Sequence, residues 1–317
     1  LGFGIDDGKR LLGAETNSYA NTKPSKEEFP LIIYMAGFNG MGFENFKILE
    51  RLAERGFIVV SIWSVGRYPG HMTNHQLDMM EQVYDAEFAL KYLQSQNELI
   101  LNVDSMGVLA CSWGGMSAAV LTNRNPQIQT LVSLDGTETH YFGESDQDDA
   151  YIREIHNSTL IQPENLAVNY LYLESGNKFE EYTPTEEYQY YKRLNSMEKY
   201  YLRFQKGKHR DFTSIPSILR ASEDAIEVHN QLLEGTVLFF EKYLLKVDGF
   251  DSYYDKLSLS NNISTKPYEE DYSVNKSSTL VQGEIIDAKT KLPLAFVNIG
   301  VLNKETGTVS DDDGKYE

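Results

Sequence analysis

The chain has one cysteine, Cys111, among 317 residues. A single thiol closes no internal disulfide and builds no cysteine-based zinc finger. Positive charge is also scarce: 29 Lys and Arg stand against 47 Asp and Glu, a formal net charge of −18. Binding nucleic-acid phosphates needs a basic face, so a nucleic-acid partner is not expected. Adhesion to an anionic membrane surface is disfavoured for the same reason. No apolar run approaches the ~20 residues of a membrane span. The chain opens at Leu1 without a signal-peptide pattern, which reads as a processed or cut form.

What is present is ordinary for a folded chain: 41% hydrophobic and 24% charged residues. Such a composition argues against disorder. The length suits one large domain plus a small one, or two medium ones.

Residues 1–29 are polar and weakly patterned, and read mostly as loop. Short apolar runs then alternate with helical spacing. Strands are expected at 31–35, 57–62, 106–110, 128–134, 166–174 and 198–205. Helices are expected at 43–55, 76–95, 113–123, 184–195 and 222–246. Alternation of this kind means βαβ units, a mostly parallel doubly wound sheet with helices on both faces. This α/β domain should cover about residues 1–250, its chemistry lying at the C-terminal edge of the sheet. A last short helix and a linker are expected over 251–278. From Thr279 a period-two alternation begins, with Asp-Gly turn chemistry near Asp313-Gly314. That segment reads as part of a small all-β domain over 279–317, too short to close a sandwich.

The strongest chemical signal is Ala110-Cys111-Ser112-Trp113-Gly114-Gly115, between an apolar strand and a helix of small residues. A strand-to-helix turn exposes a serine hydroxyl and aims a helix N-terminus at it. The neighbours two before and two after must be small, as Ala110 and Gly114 are. The plainer reading is a helix N-cap. A nucleophile needs an oxyanion hole, here the N–H of Trp113 and one from the loop Ala36-Gly37-Phe38-Asn39-Gly40-Met41-Gly42, with Phe38 the expected donor. A dinucleotide loop fits less well, because the glycines run G-x-x-G-x-G and no acid ends the next strand.

Six histidines are available as general base. His71 and His75 lie four apart in a loop, without the glutamate of HExxH, and read as solvated. His140 and His156 fall in a polar insertion. His229 lies on the final helix as a surface or packing residue. His209 follows a strand and the Gly207 turn, where α/β sheets carry their chemistry, and is the candidate base. An acid must orient it. Asp135 and Glu174 both stand at strand ends, and the residues alone leave the two open. Cys111 reads as a packed strand-end residue.

With Ser112, Asp135 and His209 in view, residues 25–246 resemble the α/β-hydrolase superfamily, within it the platelet-activating-factor acetylhydrolase and dienelactone-hydrolase-like esterases. The segments that carry the resemblance are Phe29-Pro30 through Gly40, Cys111-Ser112-Trp113-Gly114-Gly115, and Lys208-His209-Arg210-Asp211-Phe212-Thr213. In the acetylhydrolase branch the acid follows the strand after the elbow helix, as in Leu134-Asp135-Gly136; the resemblance therefore implies Asp135, with Glu174 the alternative acid. Two departures stand out. Ala36-Gly37 replaces the usual His-Gly pair, and the fold's first strands are not obvious in residues 1–29. The tail resembles a carboxypeptidase-regulatory-like β-sandwich domain through Val281-Gln282-Gly283, Pro293 to Ile299 and Gly307 to Gly314. It would then be truncated within that domain. Such modules imply a periplasmic or cell-surface location, and their Asp-rich turn implies structure rather than calcium binding.

The expectation is a serine hydrolase of carboxylic esters, acting on a small-molecule ester with neither metal nor organic cofactor. The rival readings are an inactive binding module of the same fold and a serine peptidase on the same scaffold. The acidic insertion from Thr137 to Glu164, with Tyr141 and Phe142, reads either as a partial lid over the site or as a surface loop. The tyrosines clustered over 182–201 read either as a stacking surface for a ring or as half-buried helix surface.

Overall fold

The computed structural model describes residues 5–68, 72–96, 100–139, 146–177, 190–196, 198–219, 222–265, 282–295, 297–300, 307–311 and 313–316. The chain divides into two compact units, Leu1–Pro267 and Tyr268–Glu317.

The first unit is built on a seven-stranded sheet. Its strands are β1 (Phe29–Met35), β2 (Ile58–Ile62), β3 (Leu101–Cys111), β4 (Ile128–Leu134), β5 (Asn169–Asn177), β6 (Lys199–Lys208) and β7 (Ile263–Ser264). They lie in the order β2-β1-β3-β4-β5-β6-β7, all parallel except β7, which runs antiparallel to β6. Its helices are α1 (Ile5–Leu12), α2 (Phe46–Glu54), α3 (Gln76–Gln94), α4 (Gly114–Arg124), α5 (Asp146–Asn157), α6 (Tyr190–Arg193), α7 (Glu223–Phe240) and α8 (Phe250–Ser258).

Parallel strands buried on both faces are apolar at every position rather than at alternate ones. β1 shows how. Leu31, Ile33 and Met35 point to one face, against Met79 and Val83 of α3, Met116 of α4 and Ile152 of α5. Ile32, Tyr34 and Ala36 point to the other, against Ile48 and Leu52 of α2 and Leu232 and Phe239 of α7. The doubly wound reading therefore holds. Chain order moves outward from β1 to β2, then jumps back across β1 to β3. β1 and β3 thus bracket the point where the winding reverses, the place where open α/β sheets bind their ligands.

Three segments differ from the sequence reading. Residues 5–12 form α1 where loop was expected. The last short helix expected over 251–278 is α8, which buries Phe250 and Leu257, but a strand follows it where linker was expected: Ile263 of β7 is buried beside β6. The insertion after Asp135 is neither a free lid nor a surface loop in its described part. Thr137, Glu138 and Thr139 are buried, and α5 sets Ile152 and Ile155 into the core. His71, His140, Tyr141, Phe142 and the tyrosines from 182 to 189 lie outside the described residues.

The second unit contains two small antiparallel pairs. β8 (Gly283–Glu284) pairs with β11 (Lys315–Tyr316), and β9 (Asn298–Gly300) with β10 (Gly307–Val309). Ser310 binds it internally, its hydroxyl accepting from Val297 N–H at 2.9 Å and donating to the Leu294 carbonyl at 2.8 Å. Val281 of the expected tail pattern lies outside the described residues.

Candidate active site

Ser112 directly follows β3 and precedes α4, with a left-handed backbone (φ +52°). A side chain there costs of order 1–3 kcal/mol and persists only where the surroundings fix it. They do: Ser112 N–H donates to Leu134 O at 3.0 Å, and Ser112 O accepts from Gly115 N–H at 2.9 Å and Thr137 N–H at 3.0 Å. The turn is too tight for larger neighbours. A Cβ at Gly114 would fall 2.2 Å from Met35 O, and one at Gly115 would fall 1.8 Å from Glu138 Oε2. Ala110 is fully buried. The serine is thus more than an N-cap: its own side chain caps nothing and points to a histidine.

Asp135 leaves β4 in the same left-handed way (φ +50°), its N–H donating to Leu173 O at 2.7 Å. Its carboxylate is fully buried, yet every donor around it is aimed. Ser175 N–H donates to Oδ1 at 2.9 Å and Ser175 Oγ to Oδ2 at 2.5 Å. His209 Nδ1 stands 2.6 Å from Oδ2, and His209 Nε2 stands 2.9 Å from Ser112 Oγ. His209 heads a 3₁₀ turn (His209–Phe212) directly after β6. That turn is fixed by Asp211, whose carboxylate accepts from Lys208 N–H at 2.9 Å. The imidazole is 39% exposed, so the line from serine to acid is open at the serine end and sealed at the acid end.

The structure therefore brings Ser112, His209 and Asp135 into one hydrogen-bonded line. It does not bring Glu174 there. Glu174 is fully buried on β5, its Oε2 3.9 Å from Arg203 Nε of β6. The two candidate acids are separated by where they point, not by where they sit in the sequence.

The loop after β1 lies beside Ser112: a Cβ at Gly37 would be 3.4 Å from Ser112 Cβ. Asn39 is left-handed (φ +52°), which folds the loop back on itself. Among the described residues, neither the Phe38 nor the Trp113 N–H donates to a protein acceptor. Phe38 is 41% exposed and meets the buried Trp113 ring edge-on, with centroids 6.0 Å apart.

Other candidates resolve differently. Cys111 is buried, and burial together with the charges of Glu44 and Asp135 pushes its thiol well up, so it stays neutral. His75 is not merely solvated: its Nδ1 caps α3 by accepting Leu77 N–H at 3.0 Å. His156 and His229 are buried, and desolvation pulls each down to about 4. Among the described residues no group of three His, Cys, Asp or Glu side chains is placed to hold a metal. Nor is any helix there long and apolar enough to cross a membrane.

Sequence reasoning missed two buried acids. Glu138 was counted with an exposed acidic insertion. It lies instead beneath the elbow, where Tyr170 Oη donates to its Oε1 at 2.7 Å and burial pushes its carboxyl up. Glu44 lies behind the loop after β1. Neither has a local signal in sequence, because both are buried by segments distant along the chain.

No family model matches the chain, and no curated protein matches it. Solved structures do. A ferulic acid esterase from Streptomyces cinnamoneus superposes with a TM-score of 0.61 at 19% identity, covering 80% of this chain and 78% of that one. The fold is an α/β-hydrolase fold. Phe38 lies in the loop after β1, Ser112 directly after β3, Asp135 directly after β4 and His209 directly after β6.

Proposed function

We propose that the chain is a serine hydrolase that cleaves carboxylic esters through an acyl-enzyme. One observation carries the reading: the unbroken line from Ser112 Oγ to His209 Nε2 at 2.9 Å and from His209 Nδ1 to Asp135 Oδ2 at 2.6 Å. An N-cap or packing serine has no use for such a line.

In this reading His209 Nε2 takes the Ser112 proton as Oγ adds to the ester carbonyl. The carbonyl oxygen becomes an oxyanion between the Phe38 and Trp113 N–H groups, both of which are unspent. Collapse expels the alcohol, which leaves with the proton held on His209. Water, deprotonated by His209, then adds to the acyl-Ser112 carbonyl and releases the acid. Asp135 fixes the imidazole tautomer with Nδ1–H toward the acid and stabilises the imidazolium. Ser175 holds Asp135 in turn.

The solved neighbour is by its name an esterase of ferulic acid, an aromatic acid. The half-exposed Phe38 ring beside Trp113 supports an aromatic or bulky apolar acyl group here as well. We place the chain in the periplasm or at the cell surface, on the β-sandwich likeness of residues 279–317.

The test is labelling with a fluorophosphonate, wild type beside Ser112→Ala. Turnover of p-nitrophenyl acetate, methyl ferulate and a peptide anilide is followed in parallel. Labelling lost in Ser112→Ala, with ester but not anilide turnover, is expected. A wild type that takes no label moves the reading to a binding module. Anilide turnover moves it to a peptidase.

A further inference from the structure

Behind the oxyanion loop lies a carboxylate that the reaction as written does not use. Glu44 stands where the loop after β1 enters α2, with 9% exposure. Its Oε1 accepts from Gly37 N–H at 2.8 Å and from the Tyr34 hydroxyl at 2.9 Å. Asn45 Nδ2 donates to that same hydroxyl at 3.0 Å, and both Tyr34 and Asn45 are fully buried. The loop is wrapped around the carboxyl. Gly40 N–H closes onto Gly37 O at 2.8 Å, and a Cβ at Gly40 would fall 2.4 Å from Glu44 Oε2.

The main chain of Glu44 faces the other catalytic loop. Its carbonyl accepts from Ser214 N–H at 2.8 Å. Ser214 Oγ accepts from Lys47 N–H at 3.2 Å, and Lys47 Nζ donates to Ser217 Oγ at 2.7 Å. Ser214 and Ser217 belong to the segment that leaves His209. One residue thus binds the Phe38 loop through its side chain and the His209 loop through its backbone.

We propose that Glu44 is a positioning residue for the oxyanion hole. Its carboxyl fixes the N–H of Gly37 while Gly40 N–H fixes the Gly37 carbonyl, so the peptide planes on both sides of Gly37 are held, and the second of them carries Phe38 N–H. Gly37 has no side chain to do this, and glycine backbone is the freest to rotate. The geometry uses Glu44 as an acceptor, not as a charge. A negative charge near the developing oxyanion opposes it, so a neutral acceptor of the same reach should serve. The proposal rests on the hydrolase reading above.

The test uses the full chain as wild type, Glu44→Ala, Glu44→Gln and Glu44→Asp. Reactive serines are counted by labelling to completion with a fluorophosphonate, and kcat and KM for p-nitrophenyl acetate are expressed per labelled serine. Glu44→Ala is expected to lose about 10- to 100-fold in kcat with little change in KM, below the ~10²–10³-fold cost of deleting an oxyanion donor outright. Glu44→Gln is expected to stay within about threefold of wild type, since its amide oxygen still accepts. Glu44→Asp, one methylene short, should fall close to Glu44→Ala. Where Glu44→Ala does not fold, the contrast between Gln and Asp carries the test. Unchanged kcat per labelled serine in the Ala or Asp variant overturns the proposal, as does a Gln variant as poor as Asp. A wild type without label or turnover overturns the hydrolase reading and this proposal with it.

Discussion

Asp135 stands just past the end of β4 and Glu174 three residues before the end of the neighbouring parallel strand β5, and both are fully buried. Asp135 turns out of β4 with a left-handed backbone, and its carboxylate collects Ser175 and His209. Glu174 stays in the ladder of β5, paired in register with Arg203 of β6, and its side chain faces that same residue. The two acids thus share burial and a level in the sheet but not partners. A buried carboxylate at a strand end is ambiguous until its donors are known. One set of donors includes an imidazole that can change charge during a reaction. Glu174 instead faces at 3.9 Å a guanidinium, which cannot.

The comparison breaks first at catalysis. Asp135→Asn should lower kcat by about 10⁴-fold, because His209 loses the partner that fixes its tautomer. Glu174→Gln should leave kcat within a few-fold. Steady-state turnover on one aryl ester, normalised to folded protein, checks both; equal losses would mean that the two acids share the task.

Stability should show the reverse order. Glu174→Gln removes a buried charge 3.9 Å from the mostly buried Arg203 guanidinium and should destabilise by about 3 kcal/mol. Urea unfolding measures it. Replacing both partners, Glu174→Leu with Arg203→Met, should recover most of that loss and keep activity, since an apolar pair of similar volume needs no desolvation.

Histidines sharpen the contrast between a paired and a buried group. His156 and His229 are pulled to about 4 in the folded chain by desolvation. Unfolded, each titrates near 6.5. Between those values the unfolded chain binds protons that the folded chain refuses, so stability falls as pH drops from about 6.5 to about 4. The loss is up to about 3 kcal/mol per histidine, fully avoided above about pH 7. His229→Phe should flatten the urea midpoint against pH over that window.

The smallest effect concerns Ser175, next to Glu174 yet bonded to Asp135. Ser175→Ala removes one of the Asp135 donors but leaves Ser175 N–H in place. It should lower kcat by about 10-fold, the worth of one charge-assisted hydrogen bond. No change would mean that the backbone donor alone holds Asp135.

Much of the fold was legible in the sequence because its signals are local. β1 to β6 are short apolar runs, and α2, α3 and α7 repeat at helical spacing. α5 was missed because only Ile152 and Ile155 mark its inner face amid Asp and Glu. β7 was missed because the polar text around it resembles a linker. Ser112 and His209 were legible as candidates because small residues and turns must flank them, and those constraints lie within a few positions of each.

The sequence by itself determined an alternating α/β chain and the strand-to-helix turn that presents Ser112, since periodicity and residue size act between neighbours. Only the tertiary structure decided which acid faces His209 and that Glu44 and Glu138 are buried behind the site. Those outcomes depend on strand order and on the dihedral angle at Asp135, which are set by contacts between segments distant in sequence. Hydrogen bonds across 74 and 97 residues, from His209 to Asp135 and to Ser112, leave no trace in local pattern.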